Sequence, residues 1–294
     1  MKRAISAIWL CLALLGLLLL PGCLGDDEDD VEIESRPTLP SPATTAAAGS
    51  GVAGGTDWYR PVPGTSWQWQ LSGAINTGYD VTVYDIDLFD TDAALIAELQ
   101  AAGRKVICYF SAGSYEEWRD DAARFPAEAV GETLDGWPDE RWLDIRDAMV
   151  WQLMRQRLDL AQAKGCDGVE PDNITGYNND TGFDLTAADQ LNFNRFLAAE
   201  AHARGLAIGL KNDLEQIPAL VGDFDFAVNE ECFAYDECEA MLPFIEQGKA
   251  VFSAEYEDEF RRNPEPICTR ARELGFSTLI LPLDLDDSFR IACS

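Results

Sequence analysis

The sequence predicts an α/β fold, a single-domain, disulfide-stapled (β/α)8 TIM barrel formed by residues 58–294. Short apolar runs alternate with helical patterns along this segment, and several of the helical patterns end at a glycine. The segment is long enough for one barrel-sized core. Polar residues follow the apolar runs, and barrel active sites lie at the carboxyl ends of the strands.

The strand and helix segments alternate in the order that a barrel requires. Strands are predicted at 67–71, 81–87, 105–110, 168–172, 207–212, 226–230, 250–256 and 278–284. Helices are predicted between them, for example at 92–102, 148–164, 187–204 and 266–274, with Gly103, Gly165, Gly205 and Gly275 closing them. A ninth apolar run, 142–146, exceeds the strand count, and we predict it to be a loop over the barrel mouth.

The segment Gly168-Val169-Glu170-Pro171-Asp172-Asn173 is the most informative motif. Side chains alternate between the two faces of a strand, so Glu170 and Asp172 point to the same side. Two acids that face one cavity are suited to paired-carboxylate catalysis.

Histidine-based chemistry is disfavoured because the chain has a single histidine, His202. It lies inside a helical pattern, where we expect it to be a packed or surface residue. A Ser-His-Asp triad or a zinc site would need this residue or several more like it. We therefore predict neither a metal site nor a cofactor.

The chain is strongly acidic, with a formal net charge of −30. Such a field repels nucleic acids and anionic polysaccharides and favours a neutral or positively charged substrate. General acidity that serves solubility or a saline habitat is the alternative interpretation.

The N-terminus has the pattern of a secretion signal. Lys2 and Arg3 precede an apolar run, 4–20, which ends at Leu-Pro-Gly-Cys. We predict a lipoprotein signal peptide at 1–22, lipidation of Cys23 and an acidic, then Pro-, Ser-, Thr-, Ala- and Gly-rich tether at 23–57. The predicted product is an exported lipoprotein at the cell surface, outer membrane or periplasm. An ordinary signal peptide that removes Cys23 is the alternative.

Six cysteines remain in the exported barrel segment, and their even number predicts three disulfides. Several pairings are possible, but the short spacing favours Cys232 with Cys238. Cys108 with Cys166 and Cys268 with Cys293 would follow.

Five motifs resemble glycoside hydrolase family 114, the endo-α-1,4-polygalactosaminidases, over nearly all of residues 58–293. They are Tyr-Asp-Ile-Asp-Leu-Phe-Asp-Thr at 84–91, Cys-Tyr-Phe-Ser-Ala-Gly-Ser-Tyr-Glu at 108–116, Gly-Val-Glu-Pro-Asp-Asn at 168–173, Gly-Leu-Lys-Asn at 209–212 and Val-Asn-Glu-Glu-Cys at 228–232. The resemblance implies a TIM barrel that cleaves galactosamine-containing exopolysaccharide, such as occurs in biofilms.

The same resemblance implies that Asp172 and Glu230 are the catalytic pair. We expect Asp172 to be the nucleophile of a retaining mechanism and Glu230 the acid/base. The family commonly has Gln where this chain has Glu231, so a second acid adjoins the proposed one. Neighbours on a strand point oppositely, and the motif match favours Glu230.

Further polar residues at the predicted strand ends are candidates for substrate binding. Asp85, Asp87 and Glu170 would raise the pKa of the catalytic acid and pair with sugar ammonium groups. The other candidates are Tyr109, Asn173, Lys211, Asn212, Glu255 and Tyr256, and those for stacking on sugar rings are Trp67, Trp69, Tyr109, Tyr177 and Tyr256. Each of these residues has a structural alternative as a loop cap, ion pair or core residue.

The expected partners are a cationic or neutral amino-sugar polysaccharide and a membrane that holds the lipid anchor. No nucleic-acid partner is predicted, and the chain is expected to be a monomer. Two other functions remain open: a surface lipoprotein that binds amino-sugar polymer without cleaving it, and a metal-dependent phosphoesterase. The second is disfavoured because an acidic surface repels phosphates.

Overall fold

The structure is a computed structural model that describes residues 58–293. The predicted signal peptide, Cys23 and the tether lie outside the described residues. In chain order the strands are β1 (Trp67–Gln70), β2 (Val83–Asp87), β3 (Lys105–Ser111), β4 (Ser114–Glu116), β5 (Val130–Leu134), β6 (Trp137–Leu143), β7 (Gly168–Asp172), β8 (Ala207–Lys211), β9 (Phe226–Glu230), β10 (Val251–Glu255), β11 (Ser277–Ile280) and β12 (Ile291–Ala292). The α-helices are α1 (Ala93–Ala101), α2 (Ala148–Lys164), α3 (Ala187–Ala203), α4 (Ile217–Leu220), α5 (Leu242–Glu246), α6 (Asp258–Arg262) and α7 (Glu265–Leu274).

Eight parallel strands form the main sheet in the order β1-β2-β3-β7-β8-β9-β10-β11, and β12 pairs antiparallel with β11. Each parallel strand lies on one of the eight predicted runs, and the predicted TIM-barrel fold is confirmed. The last strand is shorter than predicted because β11 ends before Pro282, which has no amide hydrogen for a ladder.

The seam between β1 and β11 is bridged by side chains. The indole of Trp67 donates a hydrogen bond to the carbonyl of Ser277 at 2.8 Å, and Arg290 donates to the carbonyl of Trp67 at 2.8 Å. Above this point the amides of Leu71 and Ser72 both donate to the carbonyl of Leu285. These bonds join the first strand to the end of the sheet.

The lower half of the barrel interior is apolar. The ring of Trp67 stacks on Phe252 at 4.8 Å, and Phe226 meets Phe252 edge-on at 5.7 Å. Gly209 faces this cluster, where a side chain would collide with the ring of Phe226. Polar residues occupy the upper half of the interior, towards the carboxyl ends of the strands.

An excursion of the chain between β3 and α2 carries a second sheet, with strand order β4-β6-β5. It packs closely on the main barrel, since a side chain at Gly113 would collide with the backbone carbonyl of Asn173. The prediction of a loop at 142–146 was wrong for Trp142 and Leu143, which belong to β6. Pairing with β4 and β5 gives this run the partners that the barrel strands do not provide.

The outer helices follow the predicted pattern closely. The side chain of Asp147 caps the N-terminus of α2 by accepting hydrogen bonds from the amides of Met149 and Val150. Thr186 and Asp189 form a capping box on α3. His202 is a packed residue of α3, as predicted. Its ring stacks on Trp58 at 4.1 Å, and its Nε2 lies in hydrogen-bond contact with Asp225 at 2.9 Å. None of the helices within 58–293 has both the length and the apolar character needed to cross a membrane.

The three predicted disulfides are confirmed. Cys108 is bonded to Cys166, Cys232 to Cys238, and Cys268 to Cys293. All six cysteines are buried. The first bridge ties β3 to the turn before β7, and the third ties α7 to the chain end that follows β12.

Candidate active site

A lysine on the barrel axis holds three carboxylates together. The ammonium nitrogen of Lys211, the last residue of β8, lies 3.1 Å from Glu170 Oε1, 3.1 Å from Asp172 Oδ1 and 3.0 Å from Glu230 Oε2. Lys211 is almost fully buried. Burial alone would lower its pKa, but the charges of Asp172, Glu230 and Glu170 raise it well above its ordinary value. Lys211 is therefore a permanent cation.

Strand alternation brings these groups together. Glu170 and Asp172 are two residues apart on β7, so both point into the barrel, with Asp172 nearer the mouth. Glu230 ends β9 in the same way. After Asp172, the last residue of β7, the φ of 59° at Asn173 turns the backbone away from the ladder.

The carboxylate of Asp172 is held by three donors. Besides Lys211, the hydroxyl of Tyr109 donates to Oδ2 at 3.1 Å and the amide of Asn173 donates to Oδ1 at 2.7 Å. Burial and the charge of Asp172 raise the pKa of Tyr109 well above its ordinary value, so this hydroxyl keeps its proton. Three donors stabilise the ionised form of Asp172.

Glu230 has a different environment. The hydroxyl of Tyr256 donates to Glu230 Oε1 at 2.5 Å, and the backbone amide of Glu230 donates to Asn212 Oδ1 at 3.0 Å. Burial and the charge of Glu230 raise the pKa of Tyr256 well above its ordinary value. A tyrosine hydroxyl can accept as well as donate, so this contact accommodates both protonation states of Glu230.

The neighbouring acid, Glu231, is placed differently. Its φ of 64° turns the chain after β9, and its amide donates to the carbonyl of Ala254 at 2.8 Å. Glu231 has no ion pair with Lys211, whereas Glu230 shares that ammonium with Asp172. Of the two adjacent acids, Glu230 is the one that faces Asp172.

A cleft opens above the acid pair in two connected parts. The first has a volume of about 350 Å³ and includes Asp172, Trp118 and Glu140 in its lining. The second has a volume of about 330 Å³ and extends past Glu231 and Tyr235. Both parts share the residues Trp137, Asn212, Glu230 and Leu283. Glu230 therefore lies where the two parts meet, and Asp172 lines the first part.

Exposed apolar side chains are concentrated in this cleft. Of the six large apolar residues that are exposed within 58–293, four line it: Trp118, Trp137, Tyr235 and Leu283. The excursion supplies both tryptophans. Sequence reasoning missed them, although a tryptophan within a polar run is the kind of signal that marks an exposed binding surface.

Several other predicted binding residues lie in or next to the first part of the cleft. Tyr109, Asn173, Lys211 and Asn212 line it, and Tyr256 lines the second part. Trp69 forms the floor, with its ring 4.8 Å from the ammonium of Lys211. Asp87 also reaches the lining, but Arg119 occupies both of its oxygens at 2.6 and 3.1 Å.

Other predicted residues do not reach the cleft surface. Asp85 and Glu170 are fully buried below its floor. Glu255 points to the outer layer of the barrel, where it accepts the amide of Phe233 at 2.9 Å. Among the stacking candidates, Trp67 belongs to the buried barrel core and Tyr177 bonds to Glu215.

The acids of this cleft do not form a recognisable metal centre. Across residues 58–293, no group of three His, Cys, Asp or Glu side chains is arranged to hold a metal ion. The cation that joins the acids is the ammonium of Lys211.

Known proteins resemble this chain in sequence and structure. The sequence model of glycoside-hydrolase family GH114 matches residues 49–294. The crystal structure of Aspergillus fumigatus Ega3 in complex with galactosamine is 46% identical, covers 80% of this chain and 97% of its own, and has a TM-score of 0.77. The glycoside hydrolase domain of PelA from Pseudomonas aeruginosa is 14% identical, covers 77% of this chain and 98% of its own, and has a TM-score of 0.62, a likeness of fold. A search of curated protein sequences returned no match.

Proposed function

Because the chain belongs to glycoside-hydrolase family GH114, we propose that this glycoside hydrolase cleaves α-1,4 linkages inside galactosamine-containing polysaccharide, with Asp172 and Glu230 as its catalytic pair. The observation that carries the proposal is the ammonium of Lys211, which holds these two carboxylates at the base of a two-sided cleft. Paired carboxylates are the groups that glycoside hydrolysis requires.

The substrate class is supported by similarity and by charge. Ega3, at 46% identity, is a protein whose crystal structure contains galactosamine. In the cleft of this chain, acids outnumber the two basic residues, Arg119 and Lys211, and both of these are already paired with carboxylates. A cleft with surplus negative charge favours a polymer that carries ammonium groups.

The environments of the two acids support their roles. Asp172, with three donors, is the better stabilised anion and is assigned as the nucleophile. Glu230 gives its proton to the glycosidic oxygen while an oxygen of Asp172 bonds to the anomeric carbon and the leaving sugar departs. Glu230 then takes a proton from water, which displaces Asp172 and restores both groups.

The spacing of the acids supports retention of configuration. Since Asp172 Oδ1 and Glu230 Oε2 lie 3.1 and 3.0 Å from one nitrogen, they are no more than about 6 Å apart. Retaining enzymes have carboxyl groups about 5–5.5 Å apart, whereas inverting enzymes need about 6.5–9.5 Å to admit a water molecule.

Cleavage within the chain is supported by the shape of the cleft. The two parts share Glu230 and extend from it past Trp118 on one side and Tyr235 on the other. A polymer can therefore occupy both sides of the acid pair. This arrangement suits internal cleavage, whereas removal of terminal sugars needs a site that is closed at one end.

The test is incubation of the protein with partly deacetylated α-1,4-linked galactosamine polymer, with products read by mass spectrometry. Asp172→Asn and Glu230→Gln are matched controls that keep side-chain shape and remove the acid. Oligosaccharides from the wild type alone support the hydrolase. Polymer binding without products would instead support a non-catalytic surface protein that binds amino-sugar polysaccharide.

We propose in addition that the protein is exported and held on a membrane by lipid on Cys23, with residues 23–57 as tether and 58–294 as catalytic domain. Three buried disulfides support export, because such bonds persist in oxidising compartments. Mass spectrometry of the N-terminal peptide from expressing cells tests the anchor. A diacylglyceryl-modified Cys23 supports it, and a mature chain that starts beyond Cys23 contradicts it.

A further inference from the structure

Two carboxylates lie directly below the cleft floor, and the ammonium of Lys211 lies beside only one of them, Glu170. Asp85 and Glu170 are both 0% exposed. Lys211 lies 3.1 Å from Glu170 Oε1, but in the part of the chain that the structure describes no well-aligned hydrogen bond reaches any of the four carboxylate oxygens. Polar atoms buried in this way normally have partners. The two acids therefore need another source of stabilisation.

The barrel geometry places these acids in one layer. Inward-facing residues of alternate strands share a layer in such barrels. Asp85 on β2 and Glu170 on β7 hold the second and fourth positions in the sheet order, with Val228 of β9 and Leu279 of β11 in the sixth and eighth. The layer thus combines two acids with two apolar residues, out of reach of the cleft surface.

Two ionised carboxylates in such a layer would repel each other, whereas a single proton makes one a donor and the other an acceptor. Burial and the charge of Glu170 raise the pKa of Asp85 well above its ordinary value. Burial also raises the pKa of Glu170, but Lys211 limits it to about 7. The proton therefore resides on Asp85, the acid that is further from the ammonium.

We propose that Asp85 is protonated and donates to Glu170, and that through this bond the pair fixes the ammonium of Lys211 between Asp172 and Glu230. Asp85 and Glu170 are positioning residues: they act through Lys211 and do not touch the substrate. The role of the Asp85–Glu170 pair in catalysis rests on the function proposed above.

The groups around the pair leave few other partners. Lys211 approaches from β8 and Asp172 from the same strand as Glu170. The ring of Trp69 on β1 lies 4.8 Å from the ammonium of Lys211, and Tyr109 of β3 gives its hydroxyl hydrogen to Asp172. Glu230 and Tyr256 are connected to the pair only through Lys211 and through charge.

Two amide substitutions separate the members of the pair. Asp85→Asn keeps a donor towards Glu170 and removes no charge if Asp85 is protonated. Glu170→Gln keeps an acceptor for Asp85 but removes the negative charge that Glu170 holds above its pKa, so Asp85 ionises more readily and Lys211 loses an ion pair. Glu255→Gln serves as a control for the loss of a buried acid in the outer layer.

The measurement is NMR in the full chain and in the three variants, with carboxyl-carbon titration of Asp85 and Glu170 and the Nζ resonance of Lys211 at pH 8. We expect Glu170→Gln to lower the titration midpoint of Asp85 by about one unit and to shift the Lys211 resonance, and Asp85→Asn to leave the midpoint of Glu170 within a few tenths of a unit and the Lys211 resonance in place. Equal shifts in the two variants, or a larger shift in Asp85→Asn, would overturn the proposal. No shift in either would do so as well.

Infrared difference spectroscopy provides a second measurement, which is made first on the wild-type protein and so does not depend on the folding of a variant. At pH 8, where acids with a pKa of about 7 are largely ionised, it should show the carbonyl stretch of a protonated carboxylic acid, which is lost in Asp85→Asn and retained in Glu255→Gln. Failure to find that band on Asp85 contradicts the pair. Neither measurement needs substrate, so an inactive protein with the expected titrations would contradict the proposed hydrolase and leave the Asp85–Glu170 pair supported.

Discussion

Tyr109 donates its hydroxyl hydrogen to Asp172 at 3.1 Å, on the side of that carboxylate opposite the one that faces Lys211. The contact joins β3 to β7, whose residues Ser111 and Asp172 are partners in the sheet. Because Tyr109 is buried and keeps its proton, its hydroxyl is a fixed donor. The ring and the carboxylate therefore hold each other in place within the cleft.

Tyr109→Phe is expected to lower kcat while KM changes little. A hydrogen bond to a charged group contributes about 1.5–3 kcal/mol, which corresponds to a loss of roughly 10- to 100-fold in rate. Steady-state kinetics on galactosamine polymer provide the measurement, and Tyr177→Phe, outside the cleft, is the matched control. A rise in KM at constant kcat would show that Tyr109 serves substrate binding and not Asp172.

The aromatic residues on the two sides of the acid pair are expected to bind different segments of the polymer. Trp118 lines one part of the cleft, Tyr235 the other, and Trp137 both. Trp118→Ala and Tyr235→Ala should shift the cleavage position on an end-labelled oligosaccharide in opposite directions. Trp137→Ala should raise KM by about 10-fold through lost stacking.

Val62→Ala is the control for these substitutions, because Val62 is equally exposed but lies outside the cleft. We expect it to leave KM and the product pattern unchanged. If Trp118→Ala and Tyr235→Ala shifted cleavage in the same direction, the polymer would not extend to both sides of Glu230.

Glu140 on β6 is expected to make the binding of deacetylated amino-sugar oligomers dependent on pH. It lines the cleft and accepts the hydroxyl hydrogen of Ser114 at 2.7 Å, and burial raises its pKa to about 7. Glu140 thus becomes anionic as the pH rises from about 6 to about 8, which favours an ammonium group beside it. We expect the Kd of Asp172→Asn protein for deacetylated oligomer to fall over this range.

Two comparisons isolate the contribution of Glu140. The fully N-acetylated oligomer has no ammonium groups, so its Kd should stay constant between pH 6 and pH 8. Glu140→Gln should remove the dependence for the deacetylated oligomer as well. A dependence that persists in Glu140→Gln would assign it to another acid of the cleft or to the amino groups of the oligomer, and not to Glu140.

The parts of the structure that are local in sequence could be predicted from it. Alternation on β7 correctly directed Glu170 and Asp172 to one side, and runs rich in Val, Ile and Leu marked the barrel strands. The same alternation explains why the side chain of Glu255 does not reach the cleft, because its neighbours Ala254 and Tyr256 belong to the barrel interior. Only one of two adjacent strand residues can face inwards.

Features that depend on distant parts of the chain could not be predicted in this way. The carboxylate of Asp87 forms an ion pair with Arg119, which lies in the excursion and also pairs with Glu116. Nothing in the local sequence of β2 indicates that partner. The burial of Asp85 likewise depends on which strands share its layer, a property of the closed barrel and not of a single run.

Glu255 is expected to make the protein less stable as the pH rises. It is fully buried on β10, and burial raises its pKa from 4.5 to about 7. A carboxyl group with a raised folded-state pKa contributes stability that is fully present below its unfolded value and is lost as the pH rises through about 7. In Glu255→Gln the side chain stays neutral, and its carbonyl still accepts the amide of Phe233.

The quantity to measure is the difference in unfolding free energy between Glu255→Gln and the wild type, from urea titrations at pH 5 and pH 8. We expect this difference to change in favour of the variant by about 2 kcal/mol between the two values. The change with pH is the decisive quantity, because any cost of burying the new amide group is the same at both. A difference that stays constant would mean that Glu255 ionises as readily in the folded protein as in the unfolded chain.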